Sequence, residues 1–290
     1  MAKRSIFVGK RNMSNDFQFQ SFFNVQGQTA VITGGSGVLG STMAHALAQA
    51  GVNVVIISRR VETSQKTAQE IQSAGGRALG LACDVGDRAA LELALEQISS
   101  AFGPIDILVN GAGGNQPGAT TSPTRSFFEL DNDAIDTVFD LNFSGTLKSC
   151  QVFGRGMAER KHGCIINIAS MNSLRPLTRI PAYSAAKAAV TNFTQWLAVH
   201  MAQEYGPEIR VNSIAPGFFL TDQNRFLMTD EQTGEYTPRG KTILAHTPMA
   251  RLGNPDDLVG ALLWLVSPAA KFVTGIVVPV DGGFSAFSGV

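Results

Sequence analysis

The stretch Tyr183-Ser184-Ala185-Ala186-Lys187 sets a phenol and an ammonium four residues apart, and Ser170 lies thirteen residues before the tyrosine. On a helix this spacing puts Tyr183 and Lys187 on one face. A cation beside a phenol favours phenolate and should lower the tyrosine pKa. Tyr183 is therefore a candidate proton donor and acceptor near neutral pH. A serine delivered from the end of a preceding strand is suited to hold the reacting oxygen. The set fits proton transfer coupled to carbonyl reduction or alcohol oxidation. Taken alone, Y-x-x-x-K is a common chance pattern on helices, so its meaning depends on what stands upstream.

Upstream stands a glycine-rich turn, Thr33-Gly34-Gly35-Ser36-Gly37-Val38-Leu39-Gly40, between an apolar run and an Ala-rich helical pattern. Glycines let a backbone turn tightly and approach a pyrophosphate, whose charge a helix N-terminus favours. Its place in a βαβ unit makes this a nucleotide-binding signal rather than a structural turn alone. The second apolar run ends in Ser58-Arg59-Arg60. An acid there would take the ribose 2′-hydroxyl of NAD. A guanidinium fork suits a 2′-phosphate instead, so NADP(H) is favoured, with NAD(H) the alternative. The same arginines would also serve as solvated residues leading a helix, Arg59 stacking on adenine. Asp84 is placed to meet the adenine amino group or to cap the next helix, although Asp87 suits the cap as well. Asn110-Gly111-Ala112-Gly113 either lets backbone pass close to the adenine ribose or forms a tight loop.

Elements of one kind must bring these residues together. Apolar runs at 30–33, 53–57, 79–83, 105–109, 164–169, 209–214 and 276–280 read as strands. Helical patterns at 40–50, 62–74, 88–102, about 133–160, 182–205 and 256–266 alternate with them. Continuous apolar strands alternating with helices predict a mostly parallel, seven-stranded sheet covered on both faces. The expectation is an α/β fold with one doubly wound, Rossmann-like domain over 27–290. Two connections are long, 111–130 and 217–254, and both leave carboxyl ends of strands, where ligands bind in such sheets. The second is expected to be a substrate lid.

Composition narrows the function. Hydrophobic residues make up 44% of the 290 and charged residues 16%, enough for a sizeable core and too apolar for bulk disorder. Lys+Arg and Asp+Glu are 23 each, which argues against a broad nucleic-acid surface. No apolar run approaches the ~20 residues of a membrane span. Cys83, Cys150 and Cys164 have neither zinc spacing nor a disulfide framework, so buried reduced thiols and a cytoplasmic location are expected, with no metal. Residues 1–26 read as an N-terminal arm, with an organelle transit peptide as the alternative. Phe17, Phe19, Phe22 and Phe23 are expected to anchor its end on the domain.

Together the T-G-x-x-x-x-x-G turn, Asp84, the N-x-A-G run, Asn142, Ser170, Tyr183, Lys187 and Pro216-Gly217 resemble the short-chain dehydrogenase/reductase family, over nearly the whole chain from Gly27. One departure is Val38, which stands where the family's middle glycine is usual, with glycine at Gly37. The resemblance implies roles by position. Tyr183 would be acid in reduction and base in oxidation. Lys187 would lower its pKa and bind the nicotinamide ribose. Ser170 would steady the substrate oxygen. Asn142 would support a water linking Lys187 to solvent, or bend its helix, or both. The cofactor would meet Gly34, Ser36, Gly37, Val38, Leu39, Gly40, Ser58, Arg59, Arg60, Asp84, Val85, Asn110, Ala112, Gly113, Tyr183 and Lys187. Pro216, Gly217, Phe219 and Thr221 would embrace its nicotinamide end. A homotetramer or homodimer is implied, packed through the helices at 133–160 and 182–205.

Gly111-Ala112-Gly113-Gly114-Asn115, Ser170-Met171-Asn172, 193–198, 215–224, Ala245-His246-Thr247-Pro248-Met249 and 279–286 are similar to one subgroup of that family, the D-mannonate oxidoreductases, also called D-fructuronate reductases. That resemblance implies interconversion of a ketone and a secondary alcohol on a six-carbon sugar acid. The Ser58-Arg59-Arg60 departure speaks against NAD preference here. A carboxylate calls for a cation and hydroxyls for amides and hydroxyls. Asn115, Ser170, Asn172 and Tyr183 are the polar candidates for the substrate. Arg179 or Arg225 would hold the carboxylate, and His246 would line the lid or serve structure alone. Another sugar, polyol or keto-gluconate is the alternative substrate, and a nucleotide-binding sensor without catalysis the alternative class.

Overall fold

Runs such as Val54-Val55-Ile56-Ile57 are β-branched throughout and buried on both sides, which only the interior of a two-faced sheet satisfies. The computed structural model describes residues 18–221, 228–230 and 232–289. Its strands are β1 (Thr29–Thr33), β2 (Asn53–Ser58), β3 (Arg77–Ala82), β4 (Ile107–Asn110), β5 (His162–Ile168), β6 (Glu208–Pro216) and β7 (Val277–Val280). They form one sheet in the order β3-β2-β1-β4-β5-β6-β7. Every pairing is parallel, so the sheet is parallel throughout rather than mostly.

The strand order reverses between β1 and β4, where Thr33 lies opposite Asn110. Asn110 in turn pairs with Asn167 and Ile168 with Ile214. The register thus aligns the carboxyl ends of β1, β4, β5 and β6 along one edge, which is where such sheets bind ligands.

Alternate residues of each strand feed two cores. Ala30, Ile32, Val54 and Ile56 pack beneath α1 (Val38–Gln49), α2 (Val61–Ser73) and α8 (Val259–Val266). Val31, Val55 and Ile57 pack beneath α3 (Arg88–Phe102), α5 (Gly145–Arg160) and α6 (Pro181–His200). Phe153 of α5 is fully buried, and truncation to Ala would cost about 3–5 kcal/mol. Asp87 caps α3 by accepting from the amides of Ala89 and Ala90. Arg210 of β6 is buried and donates to the carbonyls of Leu265, Val266 and Ser267, satisfying the C-terminal end of α8.

Three expectations change. The helix read at about 133–160 is broken: α4 (Asn132–Phe139) passes through a π-turn at Asp140–Ser144 before α5 begins. The connection at 217–254 contains a helix, α7 (Pro238–Ala245). Phe19 and Phe23, on a short 3-10 helix Phe19–Phe23, are 67% and 44% exposed and do not anchor the arm. Val25 is the buried residue there, and Phe22 is half-buried. Phe17 lies outside the described residues.

Candidate active site

The turn after β1 shows why it needs its glycines. Gly34 has φ +67°, and a Cβ there would stand 2.8 Å from the Ala112 amide nitrogen. The loop after β4 is held at that distance by Thr33, whose carbonyl accepts from the Gly111 amide at 3.0 Å and whose hydroxyl accepts from the Ala112 amide at 3.2 Å. A Cβ on Gly40 would strike the Gly34 carbonyl. Gly37 has room by comparison, and Val38 is already the first residue of α1. The departure from the usual spacing therefore falls at the helix start, outside the tight part of the turn. No side chain caps α1, and Ser36 and Leu39 are only half-buried. The free amides of this helix end could hold a diphosphate.

Beyond the end of β2, Arg59 and Arg60 are exposed and form no ion pair among the described residues. The Ser58 hydroxyl is engaged locally, with the Arg60 carbonyl at 2.8 Å and the Thr63 hydroxyl at 3.0 Å. Asp84 is exposed and takes the Gly86 amide at 2.8 Å, leaving the helix cap to Asp87. Val85 is buried against Gly145. Asn110 turns inward: its amide donates to Asn167 Oδ1 at 2.9 Å and faces Cys150 Sγ at 3.2 Å. Its amide nitrogen joins β4 to β5, while its Oδ1 is buried without a hydrogen-bond partner among the described residues.

The candidate catalytic residues converge at the carboxyl end of β5. Lys187 is 4% exposed, and its Nζ donates to the Ile168 carbonyl at 2.8 Å. It lies 5.7 Å from the centre of the Tyr183 ring. Asn142, in the π-turn, donates to the Gly114 and Val138 carbonyls at 2.7 and 2.8 Å and accepts from the Gly114 amide at 3.2 Å. A Cβ on Gly113 would stand 2.7 Å from Asn142 Oδ1 and 3.0 Å from Lys187 Nζ, so Asn142 and Lys187 flank one glycine. The π-turn aims Asn142 at the loop after β4, as such bulges often do at functional sites. Ser170 is buried, accepts from the Asn172 amide at 3.2 Å, and reaches the Tyr183 phenol.

The electrostatics differ from the sequence expectation. Burial pushes the Tyr183 pKa above its ordinary value, and the hydrogen bond from Ser170 pulls it part of the way back. The lowering is exerted by Ser170, while the Lys187 ammonium is directed to the Ile168 carbonyl. Burial also pushes Lys187 down to about 8. Desolvation outweighs the mutual influence of phenol and amine here. What the arrangement can do is hand a proton between a protonated phenol and an oxygen held by Ser170.

The walls around it are unequal. Asn172 is buried and its Oδ1 accepts from the Leu177 amide at 3.2 Å. Asn115 donates to the Thr120 hydroxyl at 2.8 Å. Arg179 is exposed, has φ +76°, and its carbonyl accepts from the Thr121 amide at 2.8 Å. Gly217 passes tightly under Asp281, where a Cβ would stand 2.6 Å from Asp281 Cα; Pro216, just before it, ends β6. The Phe219 ring is buried against Gly253. Thr221 is the last described residue before 228, so Arg225 lies outside the described residues. His246 lies at the end of α7, its Nδ1 2.9 Å from the Thr242 carbonyl and its ring edge-on to Phe287 at 6.4 Å. A cavity of about 210 Å³ touches Phe218, Phe219, Thr247, Met249, Arg251 and Asp281, and none of Ser170, Tyr183 or Lys187 lines it. Among the described residues no cluster of His, Cys, Asp or Glu suits a metal ion, and no helix is long and apolar enough to cross a membrane.

Two features escaped the sequence reading. Arg239 on α7 is half-buried and feels the positive charge of Arg179. Arg175 donates to the Phe287 carbonyl, drawing the C-terminal segment toward the loop after β5. Thr237-Pro238 was a readable helix start, a capping threonine followed by proline at the first position.

A doubly wound parallel sheet with a serine, tyrosine and lysine at one edge defines a class, and the comparisons agree. The protein matches the short-chain dehydrogenase family across residues 28–232 and belongs to that family. It is 50% identical over 276 residues to the uncharacterized oxidoreductase UxuB of Bacillus subtilis (strain 168), covering 92% of this chain and 98% of that one. A solved structure of a proposed D-mannonate oxidoreductase from Haemophilus influenza with bound NAD is 44% identical. Its TM-score is 0.87, over 94% of this chain and all of that one. A gluconate 5-dehydrogenase from Burkholderia cenocepacia J2315 in complex with NADP and tartrate is 33% identical. Its TM-score is 0.83, over 93% of this chain and all of that one.

Proposed function

We propose that this protein is a nicotinamide-dependent oxidoreductase that interconverts a ketone and a secondary alcohol on a sugar acid, with D-fructuronate and D-mannonate as the pair. The observation that carries the reading is the meeting of Ser170 with the Tyr183 phenol while Lys187 is held at the end of β5. The likeness to a proposed D-mannonate oxidoreductase supports the substrate. The likeness to a gluconate 5-dehydrogenase supports a second reading, a keto-gluconate.

A dinucleotide fits the residues present. The cradle at Gly34–Gly40 would hold its diphosphate, and Ala112 and Gly113 present little side chain where it would pass. When bound, the nicotinamide supplies or accepts the hydride. Arg59 and Arg60, exposed and unpaired among the described residues, support NADP(H) over NAD(H) through a 2′-phosphate. In reduction Ser170 donates to the carbonyl oxygen and Tyr183 delivers its proton there. Lys187 holds positive charge behind the phenol, and Asn142 keeps the Gly114 backbone and the π-turn in register. In oxidation the phenolate of Tyr183 takes the alcohol proton.

Residues 217–254 act as the lid of this site, and residues 1–26 are an N-terminal arm, of which 1–17 lie outside the described residues and Val25 packs into the core. Trp196 is 57% exposed within a ladder of rings, Phe143, Phe193, Trp196, His200 and Tyr205, which supports assembly through α5 and α6 into a homodimer or homotetramer. A cytoplasmic location belongs to the same reading.

The test is a reductase panel with NADPH and NADH as donors and D-fructuronate, 5-keto-D-gluconate and D-fructose as acceptors. Fructuronate should give the highest kcat/KM. A higher value for 5-keto-D-gluconate would move the assignment to the second reading, and no turnover of any carbonyl would end both.

A further inference from the structure

The apolar run of β5 is interrupted once, by an amide. Cys164, Ile165, Ile166 and Ile168 are buried, and Asn167 among them is buried completely. A strand covered on both faces favours apolar residues, and a buried amide is costly unless its groups are paired. Asn167 is paired to three other elements. Its Oδ1 accepts from Asn110 Nδ2 of β4 at 2.9 Å, and its Nδ2 donates to the Thr194 hydroxyl of α6 at 2.9 Å. Its carbonyl accepts from the Ser213 hydroxyl of β6 at 2.8 Å.

The donors run in one direction. Thr194 uses its hydroxyl proton on the Val190 carbonyl at 2.8 Å, so toward Asn167 it can only accept. That turns the Asn167 oxygen toward β4, and Asn110 must present its nitrogen there. Asn110 Oδ1 is left buried without a partner among the described residues. The unpaired atom thus falls at the far end of the chain of bonds, and the link to α6 is complete.

That link sits on the catalytic face. Thr194 follows Lys187 by seven residues and Tyr183 by eleven, so the three share one side of α6. Asn167 directly precedes Ile168, whose carbonyl accepts from Lys187 Nζ at 2.8 Å. Two adjacent residues of β5 therefore hold α6 at points seven residues apart, about 10 Å along its axis. Lys187 reaches β5 on a four-carbon stem that can follow a shift of the helix. Asn167 and Thr194 have short side chains, and a slide of about 1 Å would break their bond. Ser170 lies on the same strand end, three residues beyond Asn167. We propose that Asn167 and Thr194 are positioning residues for catalysis. Their bond sets the depth of α6 against β5, and with it the approach of Tyr183 and Lys187 to Ser170. The proposal rests on the reading of Ser170, Tyr183 and Lys187 as the proton-transfer set and adds residues that act on it from the core.

The experiment compares wild type with Thr194→Val, Thr194→Ser and Ile165→Val in two readouts. Ile165 is a buried neighbour on the same face of β5, and its shortening loses packing but no hydrogen bond. Thr194→Val and Ile165→Val should each lower the melting temperature by a few degrees. On the carbonyl that wild type reduces best, Thr194→Val should lower kcat about tenfold and leave KM for acceptor and cofactor within about twofold. Thr194→Ser keeps the hydroxyl and should restore kcat, and Ile165→Val should leave it unchanged. Unaltered kcat in Thr194→Val, or losses that merely follow melting temperature in all variants, would overturn the positioning role. The second readout is ionisation of Tyr183 by phenolate absorbance, identified by subtracting the titration of Tyr183→Phe, which needs no turnover. Among the described residues, Ser170 and Lys187 are the groups that bear on this phenol. A displaced helix loosens the hydrogen bond from Ser170, so the midpoint in Thr194→Val should rise by about half a pH unit and return in Thr194→Ser. If wild type reduces no carbonyl, the functional reading fails while this rise and return still uphold the positioning. An unchanged midpoint removes it whatever the panel returns.

Discussion

Two walls meet at Tyr183, and they are held in different ways. On the sheet side, each polar group is fixed by backbone from another element. Lys187 of α6 is tied to β5 at Ile168, Asn142 of the π-turn exchanges hydrogen bonds with Gly114 after β4, and Thr33 of β1 holds Gly111 and Ala112. On the lid side, Met228, Ile243 and Leu252 form a small core of their own. Backbone hydrogen bonds from Gly217 to Val280 of β7 and from Met249 to Gly282 just beyond it join this segment to the sheet end, while Gly253 to Phe218 closes the segment on itself. Arg239 is left without a partner there among the described residues. Proton transfer needs groups placed to a fraction of an ångström, and many cross-element bonds give that placement. Substrate choice needs a surface that can approach and withdraw, the role proposed for this locally packed segment.

The sharpest test of the rigid wall is the phenol itself. Tyr183→Phe should lower turnover by about 10³-fold or more while cofactor affinity, read by nicotinamide fluorescence, stays within about threefold. Since burial holds the Tyr183 pKa up, alcohol oxidation by the wild type should climb with pH from 7 to beyond 9. A plateau already reached near neutrality would mean that Lys187 lowers the phenol after all.

Gly113→Ala probes the same wall one step removed. Its methyl group would press on Asn142 Oδ1 and Lys187 Nζ. A displacement of this size should cost on the order of 100-fold in kcat with little change in melting temperature. Unaltered kcat would show that the two groups have slack, and the contrast between the walls would weaken. On the cofactor edge, Arg59→Glu should raise KM for NADPH about tenfold and leave that for NADH nearly unchanged. Equal changes in both would remove the 2′-phosphate contact.

A smaller effect concerns stability. Folding lowers the Lys187 pKa from 10.5 to about 8, so the unfolded chain holds that proton more tightly. Stability from this group therefore rises with pH between about 8 and 10.5, and below 8 the buried charge costs on the order of 3 kcal/mol. Lys187→Met should melt a few degrees above the wild type at pH 7, a lead that narrows toward pH 10, while losing turnover. A lead that stays constant with pH would assign it to packing. His246→Ala should change least, within about twofold in kcat/KM, because the described contacts of His246 are its own helix and Phe287.

The sheet was readable because its signal is local and repeated. Each strand is an apolar run of β-branched residues, and each helix an amphipathic stretch between two such runs. The π-turn at Asn142 was foreseen only as a bend in a long helical pattern, since nothing in residue type distinguishes an i+5 hydrogen bond from an i+4 one. The helix α7 announced itself through Thr237-Pro238, but the region was read as a connection because its apolar residues, Ile243 and Leu244, are too few to set a period. The phenylalanines at 19 and 23 misled because their rings meet each other, 5.5 Å between centres, and stay exposed rather than entering the core.

By itself the sequence determined the parallel sheet, the glycine turn and the identity of Ser170, Tyr183 and Lys187, because periodicity and spacing along one polypeptide fix which residues share a face. Only the tertiary structure decided the environment of those groups. Burial is a property of everything packed around a side chain, so the upward shift of Tyr183 and the downward shift of Lys187 could not be read from their four-residue spacing. The bond from Asn167 to Thr194 across 27 positions of sequence belongs to the same kind. Groups so far apart in sequence meet only when the fold brings them together.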